Sequence, residues 1–495
     1  SGECQTDRYT CKGGGTEVWE PRFTYHGFRY VQVTGLKQPS LDNLRGRVVH
    51  TSFESAGSFQ CANDLLNRIQ ECTRWSYISN FVGIPTDCPH REKNGWTGDA
   101  QLACETGLLN YAAAPAYAKW IQDLADEQRP NGQLPGIVPT GGWGYRWGSG
   151  PAWDSAIILI PWYLYQYCGD RRILETHYES MKRYIDYMVS RASGDLVRFG
   201  LGDWCPVEEG HMPSTRLTSS GFFFQDCSVM ARIAHILERE EDRTRFRKLR
   251  REIGKAINTQ LYDGAGKYGN GGQTAQSAAL VQGFVQSTTC EQVVGSLVQA
   301  VEDKGGHLDF GILGAKFVLS ALSSNGHAEL AFSMATQEDF PSWGNWISKG
   351  ATTLWEDWRG DNSLNHIMFG DVSRWMFENL AGLKPTQFDP GFSTFAVSPQ
   401  LVGGLTWVKA EHESPYGPIR IHWERDEATF VLKLHVPVNA TANVFLPTTS
   451  EDTVYEGGKP VAEAAPNVKK SGWLEDALVY SVDSGDYEFR VDLLQ

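Results

Sequence analysis

The segment Thr86-Asp87-Cys88-Pro89-His90-Arg91-Glu92-Lys93-Asn94-Gly95-Trp96-Thr97-Gly98-Asp99 sets three carboxylates beside one tryptophan. Pro89, Gly95 and Gly98 keep it from being a plain helix. Such a set suits a sugar: an indole for the C–H face of the ring, carboxylates for its hydroxyls, an acid for the glycosidic oxygen. A surface turn around a half-buried Trp would have the same composition, and spacing alone leaves both readings open.

A second cluster lies far downstream. Ala351-Thr352-Thr353-Leu354-Trp355-Glu356-Asp357-Trp358 again encloses carboxylates between indoles, and Ser363-Leu364-Asn365-His366 follows. Hydrolysis of a glycoside with inversion needs two carboxyl groups, one to protonate the leaving oxygen and one to activate a water on the opposite face. Two acid-and-tryptophan clusters can supply that pair once a fold brings them together.

The run DCPHREKNGWTGDA, with TTLWEDW and SLNH, resembles the α-L-rhamnosidases of glycoside hydrolase family 78. The resemblance extends from about Tyr25 to the end and takes in Trp153-Asp154 and Gly202-Asp203-Trp204. It implies an inverting enzyme that releases terminal α-L-rhamnose, with Glu92 as general acid and Glu356 as general base. It also implies that Asp87, Trp96 and Asp99 bind the sugar and that His366 contacts it. The stretch between Asp87 and Trp96 is one residue shorter than the family pattern. Counting back from Trp96 puts the acid on Glu92; counting forward from Asp87 puts it on Lys93, which cannot do a carboxylic acid's work.

Other residues complete the expected site. Asp357 is the rival to Glu356 for the base, with backbone positioning or water binding as its alternative task. Arg91 lies beside the acid and is read with the substrate-binding group. Trp153, Asp154 and Trp204 sit in glycine-rich loops, where the indoles stack on the sugar's methyl face or pack the barrel. Trp143 and Trp147, which flank Tyr145, are candidates for touching the aglycone.

A phosphorylase would need an Arg, His and Ser cluster near the base, where this chain offers only Lys349, Arg359 and His366. A non-catalytic carbohydrate-binding protein would need aromatics but not two separated carboxylates. No metal or cofactor is implied.

Composition bounds the rest. With 495 residues, 41% hydrophobic and 21% charged, the chain is a globular protein of two or three domains. A net charge of −14 argues against nucleic-acid or anionic-membrane partners. The 17 tryptophans agree with carbohydrate contact. No run of 18 apolar residues occurs. Ten cysteines without a C-x-x-C pair read as buried thiols of a reducing cytoplasm. A periplasmic or secreted protein whose signal peptide was removed is the alternative, and Cys4 and Cys11 could pair across a turn.

What must position these residues is a mainly α, multidomain architecture. Residues 1–55 read as a β-segment, from the aromatic and β-branched run between Phe23 and Val33. Residues 56–385 show helical spacing, as at Leu65, Leu66, Ile69 and Cys72, interrupted by loops rich in Gly, Pro and Trp. Periodicity allows an irregular bundle or an (α/α)6 barrel, and the resemblance implies the barrel. Residues 386–495 alternate, as at Phe430, Leu432, Leu434, Val436 and Val438, and read as an antiparallel β-sandwich.

Overall fold

Among the described residues, and setting aside the short helices Pro151–Asp154 and Trp343–Ser348, twelve helices alternate between two kinds. Those at Thr97–Asn110, Ala156–Cys168, Thr215–Ile236, Gln273–Gln282, Ile312–Ser324 and Asp371–Trp375, the last running on to Leu380, are buried on most sides. Those at Asp64–Ser79, Ala114–Asp126, Arg171–Arg191, Glu240–Gln260, Cys290–Glu302 and Ala328–Ala335 bury one stripe and expose the rest. A helix apolar all round must be enclosed, whereas an amphipathic one covers it. The result is an inner ring of six helices inside an outer ring of six, the expected (α/α)6 barrel. The computed structural model describes residues 5–386, 389–463, 466–474 and 477–493. Cys4 is outside this range, and with it the question of a Cys4–Cys11 pair.

The barrel interior holds charge as well as hydrocarbon. Lys316 bonds Glu105 at 2.8 Å and Asp371 at 2.9 Å. Arg374 bonds Asp371 at 2.8 Å and Glu378 at 2.6 Å, and the Tyr167 hydroxyl donates to Glu378 at 3.1 Å. Buried charges survive when paired and hydrogen-bonded, as these are.

The β-region is two facing sheets. One runs in the order Gly57–Cys61, Trp407–Ser414, Gly417–Arg425, Thr429–Val436, Gly485–Asp492, Val454–Glu456, Lys459–Pro460. The other runs Val468–Leu474, Ala477–Val482, Thr441–Pro447, Thr394–Val397, Leu383–Pro385. Pairing is antiparallel except where Thr394–Val397 lies parallel to Thr441–Pro447. The expected alternation holds along Phe430, Leu432, Leu434 and Val436, but Val438 lies beyond the strand and is exposed. The sheets also cross the expected domain limits. Gly57–Cys61, just before the barrel, pairs with Trp407–Ser414, and Leu383–Pro385 already belongs to the second sheet.

The N-terminal segment differs from expectation. Among the described residues before Gly57 there is no strand, only a 3-10 turn at Leu41–Asn43 and a single bridge from Ser55 to Tyr111. Phe23, Phe28, Tyr30 and Val31 are all exposed. Strand-forming residues still need a neighbouring strand to hydrogen-bond, and none is offered here. Even so, the segment reaches the acidic motif: the Lys93 ammonium donates to the Tyr25 carbonyl at 2.5 Å and lies 4.8 Å from the Tyr25 ring.

Candidate active site

The two motif loops meet at the C-terminus of the helix Asp64–Ser79. Asn80 donates to the Asn365 side-chain oxygen at 2.8 Å, and the Asn80 carbonyl accepts from the Thr86 amide at 2.7 Å. The Ser76 hydroxyl accepts from the Leu354 amide at 2.7 Å. One helix end therefore fixes residues 86–99 against residues 354–366.

Within this junction Arg91 Nη2 donates to Glu356 Oε2 at 2.6 Å, and the same oxygen accepts from the Ser363 amide at 2.9 Å. Glu356 Oε1 has no described hydrogen bond. Asp357 is in a different position. Its carboxylate accepts from the amides of Arg359, Gly360, Asp361 and Asn362 at 2.7–3.2 Å and so is occupied in closing a turn. Trp355 and Trp358 stack beneath the loop on Trp346, at 5.8 and 4.8 Å between centroids. They are its floor.

Glu92 is exposed, and its Oε2 accepts from the Trp96 indole N–H at 2.9 Å. Lys93, next along, adopts the left-handed φ of 57° that turns the loop here. Trp96 itself is buried and leads directly into the helix Thr97–Asn110. In that helix Gly98 lies so close to the Trp153 ring that a Cβ would run into the indole.

Three further groups are almost fully enclosed. Asp87 accepts from the Asn94 amide at 2.8 Å and from the Cys88 thiol at 2.9 Å. Burial pushes its carboxyl up to about 6, and the charge of Glu92 adds to the rise. Burial also pushes Asp99 well above the carboxylate range, with Asp87, Glu356 and Glu92 all repelling its charged form. Asp99 is thus within electrostatic reach of both expected catalytic carboxylates. His366 sits 3.9 Å from both Asp87 and Glu356, too far for a hydrogen bond. Burial, helped by the Arg91 charge, pulls its pKa down to about 3, so it is a neutral imidazole. Arg91 Nε, Asp99 Oδ1 and His366 Nδ1 are buried without a hydrogen-bond partner among the described residues. Unmet buried polar groups converging on one place call for a polar ligand.

The other expected residues lie around this cluster. Trp204 is partly exposed and meets Trp147 edge-on at 6.3 Å. Trp153 is buried against Gly98. Asp154 is fully buried, and one of its oxygens accepts from the Ser149 hydroxyl at 2.8 Å and the Gly150 amide at 2.9 Å. Its bonds go to the loop before it, which it holds.

Sequence reasoning noted Asp203 within Gly202-Asp203-Trp204 but gave it no task. Its carboxylate accepts from the amides of Gly311, Leu313 and Gly314 at 2.8–3.2 Å and from the Thr274 hydroxyl at 2.5 Å. It caps the inner helix Ile312–Ser324, and the Trp204 carbonyl accepts from the Ile312 amide at 2.9 Å. Among the described residues no group of three His, Cys, Asp or Glu is arranged to hold a metal ion, and no helix is long and apolar enough to cross a membrane. Cys61, Cys72, Cys88, Cys104 and Cys227 are free and buried, whereas Cys11 is free and exposed.

Comparison with known proteins agrees along the whole chain. Residues 54–380 match the bacterial alpha-L-rhamnosidase 6 hairpin glycosidase domain, residues 382–460 the C-terminal domain of that family, and residues 2–50 its concanavalin-like domain. An alpha-L-rhamnosidase of Streptomyces avermitilis is 34% identical over 98% of this chain and 47% of its own length. One from Formosa agariphila is 32% identical over 95% of this chain and 52% of its own. The Streptomyces avermitilis alpha-L-rhamnosidase solved in complex with L-rhamnose superposes with a TM-score of 0.90 at 32% identity, over 98% of this chain and 47% of that one. An alpha-L-rhamnosidase from Dictyoglumus thermophilum gives 0.88 at 35% identity, over 96% and 55%. The chain spans about half the length of these relatives. With both motifs gathered at one end of a barrel that the family profile covers almost throughout, the chain belongs to the bacterial α-L-rhamnosidases.

Proposed function

We propose that this chain hydrolyses terminal α-L-rhamnosides with inversion, Glu92 acting as general acid and Glu356 as general base. The observation that carries this reading is the hydrogen bonding of the two neighbouring acids. Asp357 is consumed by four amides, while Glu356 has one oxygen fixed by Arg91 and Ser363 and the other without a described partner. Oε1 then takes a proton from water as the water oxygen bonds to the anomeric carbon. Glu92, steadied by the Trp96 N–H, gives its proton to the glycosidic oxygen as the bond between that oxygen and the anomeric carbon breaks. The net proton moves from Glu92 to Glu356, and solvent resets both. Asp87, Asp99 and His366 hold the sugar's hydroxyls, with Trp96 against its apolar side. Arg91 positions the base, Trp204 stands at the rim, and Trp153 and Asp154 support the floor. The substrate is a rhamnose-bearing glycoside; a relative crystallised with L-rhamnose supports that choice.

Proton NMR of the first-formed product on an aryl α-L-rhamnoside should show β-rhamnose, and α-rhamnose first would sink inversion. Glu92→Gln should slow a substrate with an alkoxide leaving group by roughly 10²–10⁴-fold, and a nitrophenyl rhamnoside much less. Equal losses on the two would remove Glu92 from the acid's role.

A further inference from the structure

Residues 140–150 present two large indoles to solvent on a loop that is nevertheless tied down. Trp143 and Trp147 are 44% and 54% exposed. Their rings lie 6.5 Å apart and 19° from parallel. Each meets Trp96 edge-on, at 5.8 and 5.6 Å. Between them Tyr145 turns the other way: its hydroxyl donates to the Glu127 carbonyl at 2.6 Å, and the Arg129 guanidinium lies 3.7 Å from its ring. Gln133 donates to the Tyr145 carbonyl at 2.7 Å. Gly148, at φ 90°, lies against Trp96 so closely that a Cβ would come within 2.8 Å of the ring. Exposed aromatic area is unfavourable in water, and a fixed loop cannot fold it away. Ordered, paired indoles of this kind are a surface already shaped for a ligand.

The position of the surface selects the ligand. Trp96 touches both indoles with its ring and Glu92 with its N–H. The surface is therefore one side chain away from the group that, on the reading above, protonates the leaving oxygen, and whatever that oxygen carries must lie on this side. The loop's chemistry narrows the choice. From Thr140 to Gly150 it has no Asp, Glu, Asn or Gln, the side chains that grip sugar hydroxyls, and its only charge is Arg146. We propose that Trp143 and Trp147 form a subsite for a planar aromatic leaving group, so that phenolic α-L-rhamnosides are the preferred substrate class. This inference rests on the rhamnosidase reading of the neighbouring cluster.

The test compares naphthyl with methyl α-L-rhamnoside in the parent, the Trp143→Ala/Trp147→Ala double variant and Trp147→Phe. For the double variant KM for the naphthyl substrate should rise ~10-fold more than KM for the methyl one, with Trp147→Phe regaining part of the difference. Free naphthol should quench indole fluorescence in the parent and bind ~10-fold more weakly to the double variant. Equal KM changes for the two substrates, or unchanged naphthol binding, would overturn the subsite. If the parent hydrolyses neither glycoside, the rhamnosidase reading fails instead, and the naphthol titration still decides whether the surface takes an aromatic guest.

Discussion

At the scale of one residue, the binding role proposed for Asp87 and the stability of the fold pull against each other. Its folded pKa of about 6 lies above the ordinary carboxyl value of about 3.9, so between those limits the folded protein holds a proton that the unfolded chain has lost. Stability therefore falls as pH rises from about 4 to about 6. Asp87→Asn removes that penalty. In denaturant melts at pH 7 the variant should be at least as stable as the parent, with a gain on the order of 2 kcal/mol that vanishes near pH 4. On the proposed reading the same substitution removes a charged acceptor for a sugar hydroxyl, and it should cut kcat/KM on an aryl rhamnoside roughly 10–100-fold. Because the carboxylate form is the better acceptor, L-rhamnose affinity should increase as pH rises through about 6 in the parent and lose that dependence in Asp87→Asn. A calorimetric titration with the same pH slope in both proteins would show that Asp87 does not touch the sugar. The residues of this cluster are singled out through the family resemblance that their motifs carry, since spacing alone leaves a surface turn equally open. What could not be found is their bonding: that Arg91 holds Glu356, or that Asp357 is used up by a turn, depends on where backbone amides end up.

At the scale of elements, the carboxylate of Asp203 replaces the missing turn of an inner helix more than a hundred residues away. Asp203→Ala strands three amides at the start of that helix and the Thr274 hydroxyl in a dry interior and should cost about 3 kcal/mol, read as a lower denaturation midpoint with unchanged slope. Because the Trp204 carbonyl holds the same helix start, residual activity should suffer as well; full stability in Asp203→Ala would deny the cap its importance. Helices were legible because burying a stripe leaves a 3.6-residue period, as in the run Tyr178–Met188 inside Arg171–Arg191. The cap was not, since a Gly-Asp-Trp triplet carries no mark of its distant partners. The N-terminal segment errs in the opposite direction. Phe23 to Val33 has strand composition, but composition supplies only half of a ladder.

Across the whole molecule, the Lys316–Arg374 network ties together inner helices from both ends of the barrel sequence, through Glu105, Tyr167, Asp371 and Glu378. In sequence Lys316 looks like one stray charge in an apolar run, because its partners lie 211 and 55 positions away. Lys316→Ala takes the ammonium from Glu105 and Asp371, leaving Arg374 as the cation facing both buried carboxylates, and should cost about 3–5 kcal/mol. Glu105→Gln/Lys316→Met, which removes charges of both signs, should recover part of that loss; a double variant no better than Lys316→Ala would mean that packing, not charge, is what matters there. The pairing of Gly57–Cys61 with Trp407–Ser414 sets a different kind of condition, one of timing. The first of these strands leaves the ribosome roughly 350 residues before its neighbour, which at ~5–20 residues per second is tens of seconds. During that interval the nascent chain carries an open β-edge at the threshold of its barrel, and an open edge pairs with whatever strand arrives first. Yield in the cell should thus depend on how quickly translation reaches Ser414, a demand that the finished fold no longer reveals.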